Sequence, residues 1–165
     1  MGGEPIFMFR LHNATTKIRG LISRIKQRRE LGIKENPSAK PFSVGRIEKR
    51  MADYARENNI ELASKSLYMS DERLSHALRK SKRDAGKTAN EDALAEFPQK
   101  RYKMKLYYET KSKTFVYHDN VNKYVIHPNY EIRSKEYKGK NVIMITASKL
   151  TDINEFRMQK YKEIK

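Results

Sequence analysis

The chain has 165 residues, 36 of them Lys or Arg against 20 Asp or Glu, which gives a formal charge of +16 and a pI near 9.9. Such an excess repels itself in a compact monomer and points to a polyanionic partner, of which nucleic acid is the commonest. The absence of cysteine excludes a disulfide scaffold, a cysteine zinc site and thiol catalysis. No apolar run is long enough to span a bilayer, and residues 1–12 lack the charged and apolar regions of a signal peptide.

Residues 1–12 hold a short apolar run of Ile6, Phe7, Phe9 and Leu11, compatible with a strand, a docking arm or an interface. From Ala14 to Leu31 the spacing of Ile18, Leu21, Ile22 and Ile25 predicts an amphipathic helix, with arginines and lysines mostly around its other side. Gly32 and the stretch NPSAKP stop it and make a linker. A second helix is expected through Val44, Ile47, Met51, Tyr54 and Ala55, closing near Asn58. The apolar segment IELASKSLYM leads to Ser70, a good N-cap, with Asp71 and Glu72 in the first turn where the helix dipole favours negative charge. The third helix, SDERLSHALRKSKR, places Leu74, Ala77 and Leu78 on one side and His76, Arg79, Lys80 and Arg83 on the other. Gly86 ends it, and a short acidic helix follows until Pro98.

Beyond Pro98 the period changes from helix to strand. Tyr102 to Tyr108 alternate, as do TFVYH and KYVIH, the last ended by Pro128. The strongest strand is NVIMITAS, with Ile143, Ile145 and Ala147 on one face and Val142, Met144, Thr146 and Ser148 on the other. The final stretch opens as a capped turn at Thr151 or Asp152. N-terminal helices followed by a small antiparallel β-sheet make the fold class α+β. The expected division is a helical N-terminal extension over 1–60 and an α+β domain over 61–165.

Two features stand out chemically: the cationic row around His76, and Thr146-Ala147-Ser148-Lys149 at the end of the most apolar strand. The ordinary reading of the row is a solvated helix face. If the helix lies across the sheet, however, both features border one cleft, a constellation suited to cleavage of RNA without a metal. Neighbouring cations favour the neutral, proton-accepting form of His76, while Arg79 and Lys80 hold the phosphate and Thr146, Ser148 and Lys149 orient it. Arg83, His118 and His127 are candidate substrate contacts, and Tyr107, Tyr117 or Tyr124 could stack on a base, although core packing is the usual role of such rings. The acids are scattered rather than clustered, so no metal site is expected.

The run LYMSDERLSHALRKSKRDAGK, followed by the short acidic helix, FP and strands ending in ITASK, resembles the phage-associated branch of the barnase, EndoU, colicin and RelE-like (BECR) nuclease superfamily. The likeness covers about Leu67 to Lys149. It implies a small RelE-like α+β fold and a metal-independent, toxin-type endoribonuclease without cofactor, acting on tRNA or other cellular RNA in the bacterial cytoplasm. It also implies an acidic immunity protein or antitoxin as partner; no membrane partner is expected, for want of a long apolar run. Its implied site residues are His76, Arg79 and Lys80 with Thr146, Ser148 and Lys149. No second histidine is paired in sequence with His76, so a proton-transfer partner would be His118, His127, Lys149 or a tyrosine. The competing readings are a non-catalytic nucleic-acid-binding module and a phage structural protein whose basic surface meets an acidic partner.

Overall fold

Helix α1 runs over Gly3–Glu30 in the computed structural model, which describes residues 3–34, 36–78, 91–137 and 139–165, with side chains from His12 onward. The apolar run of residues 1–12 thus extends the expected helix from its third residue on. Its inward stripe is Ala14, Ile18, Leu21, Ile22 and Ile25. Gly32 ends it in the left-handed conformation, φ +66°. The Ile33 and Gly32 amides donate to the Arg28 and Arg29 carbonyls, which satisfies the last turn.

The next elements are β1 (Pro41–Arg46), α2 (Lys49–Glu57), β2 (Ser66–Ser70), α3 (Asp71–Ala77) and α4 (Glu91–Lys100). Then follow a 3-10 turn at Arg101–Lys103, β3 (Lys105–Glu109), β4 (Thr114–His118), β5 (Asn122–Glu131) and β6 (Asn141–Leu150). A second 3-10 turn at Ile153–Arg157 leads to β7 (Tyr161–Ile164). The class is α+β, as expected. The sheet is neither small nor wholly antiparallel: seven strands lie in the order β1-β2-β6-β5-β4-β3-β7, and β2 runs parallel to β6.

Among the described residues two strands, β1 and β2, precede Pro98 in a stretch expected to be predominantly helical. Proline suits the first residue of a strand, and Pro41 opens β1 at the sheet edge. Pro98 lies inside α4, two residues before its end, so the helix outlasts it only briefly. Nor does Pro128 end β5, because it falls in a bulge between His127 and Tyr130 that spares it a ladder hydrogen bond.

The helices share one face of the sheet. Ile18 and Ile22 of α1, Met51 of α2, Leu74 of α3 and Phe97 of α4 join Leu67, Leu106, Tyr117, Ile126 and Ile143 in a single apolar cluster. Val44 and Met51, both before residue 60, belong to that cluster, so the expected boundary at 60 is not a break in packing. On the opposite, outer face a small cluster of Tyr107, Val116 and Tyr161 is capped by Phe156 from the 3-10 turn Ile153–Arg157.

Ser70 caps α3 as expected: its Oγ accepts the Arg73 amide at 3.1 Å. Replacing Ser70 with alanine should therefore cost about 1 kcal/mol in urea denaturation, by leaving that amide without its partner; an unchanged midpoint would show the cap to be idle.

Candidate functional site

The third helix and the last long strand do meet. β2 pairs with β6 at Leu67–Ile143 and Tyr68–Met144, then stops at Ser70, whereas β6 continues to Leu150. α3 begins where β2 ends, and Arg73 donates from Nη2 to the Thr146 carbonyl at 2.5 Å. The contact residue is thus Arg73, which lies outside the expected row of His76, Arg79, Lys80 and Arg83. It stands three residues before His76, and extending the cationic row back by one helical step would have included it. On the far side of α3, Arg29 of α1 donates to the Ser75 carbonyl at 2.9 Å and to that of Leu78, fixing the end of the helix. His76 is half-buried in the last turn. Arg79, Lys80 and Arg83 lie outside the described residues.

A bulge in β6 changes which side chains share a face. Val125 pairs with Ala147 but Ile126 with Ile145, so Thr146 is the extra residue and the alternation is reset. Ser148 lies opposite Tyr124 on the helix-covered side, whereas Lys149 lies opposite Lys123 on the outer side. The expected single cleft holding Thr146, Ser148 and Lys149 is therefore divided by the sheet itself. Ser148 is buried, and neither its Oγ nor the buried Nε atom of Arg73 has a hydrogen-bond partner among the described residues. Both residues line a cavity of about 10 Å³ between α3, α4 and β6, room for one water molecule and not for a nucleotide. Tyr124 is fully buried, its ring 4.5 Å from that of Phe97. It is a core residue and cannot stack on a base.

The outer face over β2, β6 and β5 presents a different set. The β5 bulge brings Tyr130 opposite Val142 while His127 stays opposite Met144, so both aromatic side chains point the same way, beside Tyr68 on β2. Their rings meet edge to face at 6.0 Å. The Arg73 guanidinium lies over the Tyr130 ring at 5.9 Å, within the range of cation–π attraction. Tyr68, His127, Tyr130 and Lys149 are all half-exposed. Burial holds the His127 imidazole below the usual histidine range. Its Nδ1 accepts the Asn129 amide at 3.2 Å, so the neutral ring carries its proton on Nε2 and offers a donor.

His118 is not a substrate contact in this arrangement. It is 3% exposed and stacked against Phe156 at 4.0 Å and Tyr107 at 5.3 Å. Among the described residues no three His, Asp or Glu side chains are grouped to hold a metal ion, and no helix is long and apolar enough to cross a membrane. Taken together, the residues that do converge are a guanidinium, aromatic rings and a half-exposed imidazole on a sheet face, a set that can bind a phosphate and stack a base. Comparison of the chain with protein-family models, curated proteins and solved structures finds no match in any of the three.

Proposed function

We propose that this protein binds RNA on the outer face of its sheet, with Arg73 and Lys149 meeting phosphate and Tyr68 and Tyr130 meeting bases. The observation that carries the reading is the Arg73 guanidinium set over Tyr130 beside His127, in a chain of net charge +16. Aromatic platforms flanked by cations suit single strands, because every base has a π-face to stack.

A second reading, metal-independent cleavage of RNA by a toxin-type nuclease of the BECR superfamily, is favoured by the meeting of α3 with β6 at Arg73 and Thr146. In that reading His76 exchanges protons, Arg73 offsets the charge gathering on the phosphorane, and His127 donates from Nε2. tRNA is then the substrate class, an acidic immunity protein or antitoxin the partner, and the bacterial cytoplasm the place of action.

One experiment separates these readings. The protein is incubated with total RNA and with a tRNA pool, with and without chelator, at low and high salt. Binding should fall roughly 10- to 100-fold between about 50 mM and about 200 mM salt, the slope of a few phosphate contacts to a single strand. Arg73→Ala and Tyr130→Ala should each weaken it by about tenfold. Chelator-resistant cutting that His76→Ala abolishes supports the nuclease. Absence of binding at low salt overturns both readings and favours a basic scaffold with an acidic protein partner.

A further inference from the structure

We propose that the C-terminal segment from Ile153 to Ile164 is an acid-released strap, which stays closed over Tyr107 and Val116 on the outer face while the His118 imidazole beneath it is neutral. This inference does not depend on what the outer face binds.

The strap is held by its turn, by Lys160 and by β7: Lys160 Nζ meets Glu109 at 2.9 Å, the Lys160 carbonyl accepts the Thr110 amide at 2.8 Å, and Ile164 at its far end is buried in the helix-side cluster. Phe156 lies almost parallel to the His118 ring, 4.0 Å away with 12° between the planes, and also packs on Tyr107 and Tyr161 at 4.8 Å each. Glu155 receives Lys123 Nζ at 2.6 and 2.8 Å and the Tyr161 hydroxyl at 3.2 Å. Beyond the turn, β7 adds one short antiparallel pairing to β3, from Leu106–Ile164 to Glu109–Tyr161. His118 is therefore the floor on which the first turn of the strap rests.

That floor has room for one proton only. Nδ1 of His118 accepts the Asn120 amide at 3.3 Å, so the neutral ring carries its hydrogen on Nε2, which is buried and meets no acceptor among the described residues. A second proton must go to Nδ1, where it would face the Asn120 N–H as donor against donor. The resulting cation would also lack any acceptor at Nε2.

Charged groups approach from every side. Lys105 of β3 and Lys123 of β5 stand opposite His118 in register, Asp119 follows it in the turn, Glu155 lies on the strap and Glu163 on β7. Lys123 is engaged by Glu155. Burial first, and Lys105 second, hold the imidazole below its usual range against the pull of Asp119, Glu155 and Glu163.

With the strap open, His118 is hydrated and titrates near its ordinary value of about 6.5. A lower value in the closed state means that the open state binds the extra proton first. Closure is then independent of this group at higher pH, and weakens as pH falls below about 6.5, by up to about tenfold per pH unit until the closed-state value is reached.

The test is an NMR titration of the full chain from about pH 7.5 to about pH 5, following the His118 ring together with the backbone amides of Tyr161 to Ile164. The expected result is that the amides shift to unfolded positions with one midpoint, shared with the His118 ring, while β5 and β6 stay intact. In His118→Phe, which keeps a stacking ring but cannot titrate, the strap should remain closed over the same range. The proposal is overturned if the wild-type strap stays shut throughout, or if it opens equally in His118→Phe, which would assign the change to the carboxylates. Should His118→Phe not fold, Phe156→Ala replaces it. Uncovering the ring should return the His118 midpoint to about 6.5, and an unmoved midpoint would refute the strap.

Discussion

Truncating Phe97 to alanine is expected to lower the unfolding free energy by about 3–5 kcal/mol, the largest single loss foreseen for this chain. Phe97 is fully buried on α4. Its ring stands edge-on to Tyr117 at 5.5 Å and tilted against Tyr124 at 4.5 Å. It thus joins α4 to the central strand β5 and its neighbour β4. Deleting it removes the transfer energy of the ring and leaves a void between rings too large to close by side-chain hops. Against a total stability of roughly 5–15 kcal/mol for a domain of this kind, that is a large fraction. Urea denaturation of the two proteins side by side measures it; a loss under about 1.5 kcal/mol would mean that α4 is not a structural member of the core.

The second large effect concerns Glu48. It occupies the N-cap position of α2 without capping it. Instead its carboxylate accepts from Arg50 Nε and Nη2, both at 3.2 Å, and from the Tyr117 hydroxyl. Arg50 also donates to the Met104 carbonyl at 2.9 Å and to the Arg101 carbonyl at 3.3 Å, and Arg101, fully buried, donates to the Arg46 carbonyl and to the Tyr102 hydroxyl at 2.6 Å. One carboxylate therefore ties the start of α2 to β4, while Arg101 holds the end of β1. Burial and the neighbouring carboxylate of Glu48 push the Tyr117 phenol far above its usual range, so it remains a donor at any working pH. Glu48→Ala orphans that donor and unpairs Arg50, which is partly wet and keeps two carbonyls, so we expect a loss of about 3 kcal/mol, at the lower end for breaking a buried pair. Adding Tyr117→Phe to Glu48→Ala should restore part of it. Equal stabilities for single and double variants would show that the phenol finds another acceptor.

The sequence was most informative where a period ran uninterrupted. Alternation located β3, β4 and the first half of β5, and the serine before Asp71-Glu72 marked the start of α3. β1 was hidden because Val44 and Ile47 continue, at helical spacing, into Met51 and Tyr54. Only tertiary pairing with β2 decides that Pro41–Arg46 is extended. β7 is four residues long and charged in its middle, too short for a period to register. At the candidate site the loss had a specific cause. Reading β6 as a regular strand puts Thr146 and Ser148 on one side, and a single extra residue sends Ser148 into the core and leaves Lys149 on the outer face. Bulges have no fixed sequence signature, so neither this one nor the one at Pro128 could be placed from alternation alone. Arg73 lies one helical step before His76, within reach of the same spacing.

The parallel seam between β2 and β6 has a consequence for assembly during synthesis. Leu67 must await Ile143 before the two can pair, so the β1–α2–β2 unit leaves the ribosome well before its neighbour in the sheet exists. Closing so long a segment is slow compared with forming a hairpin. In that interval the chain displays an unsatisfied strand edge and the apolar side chains Leu67 and Met69, which makes the nascent protein a natural client for a chaperone.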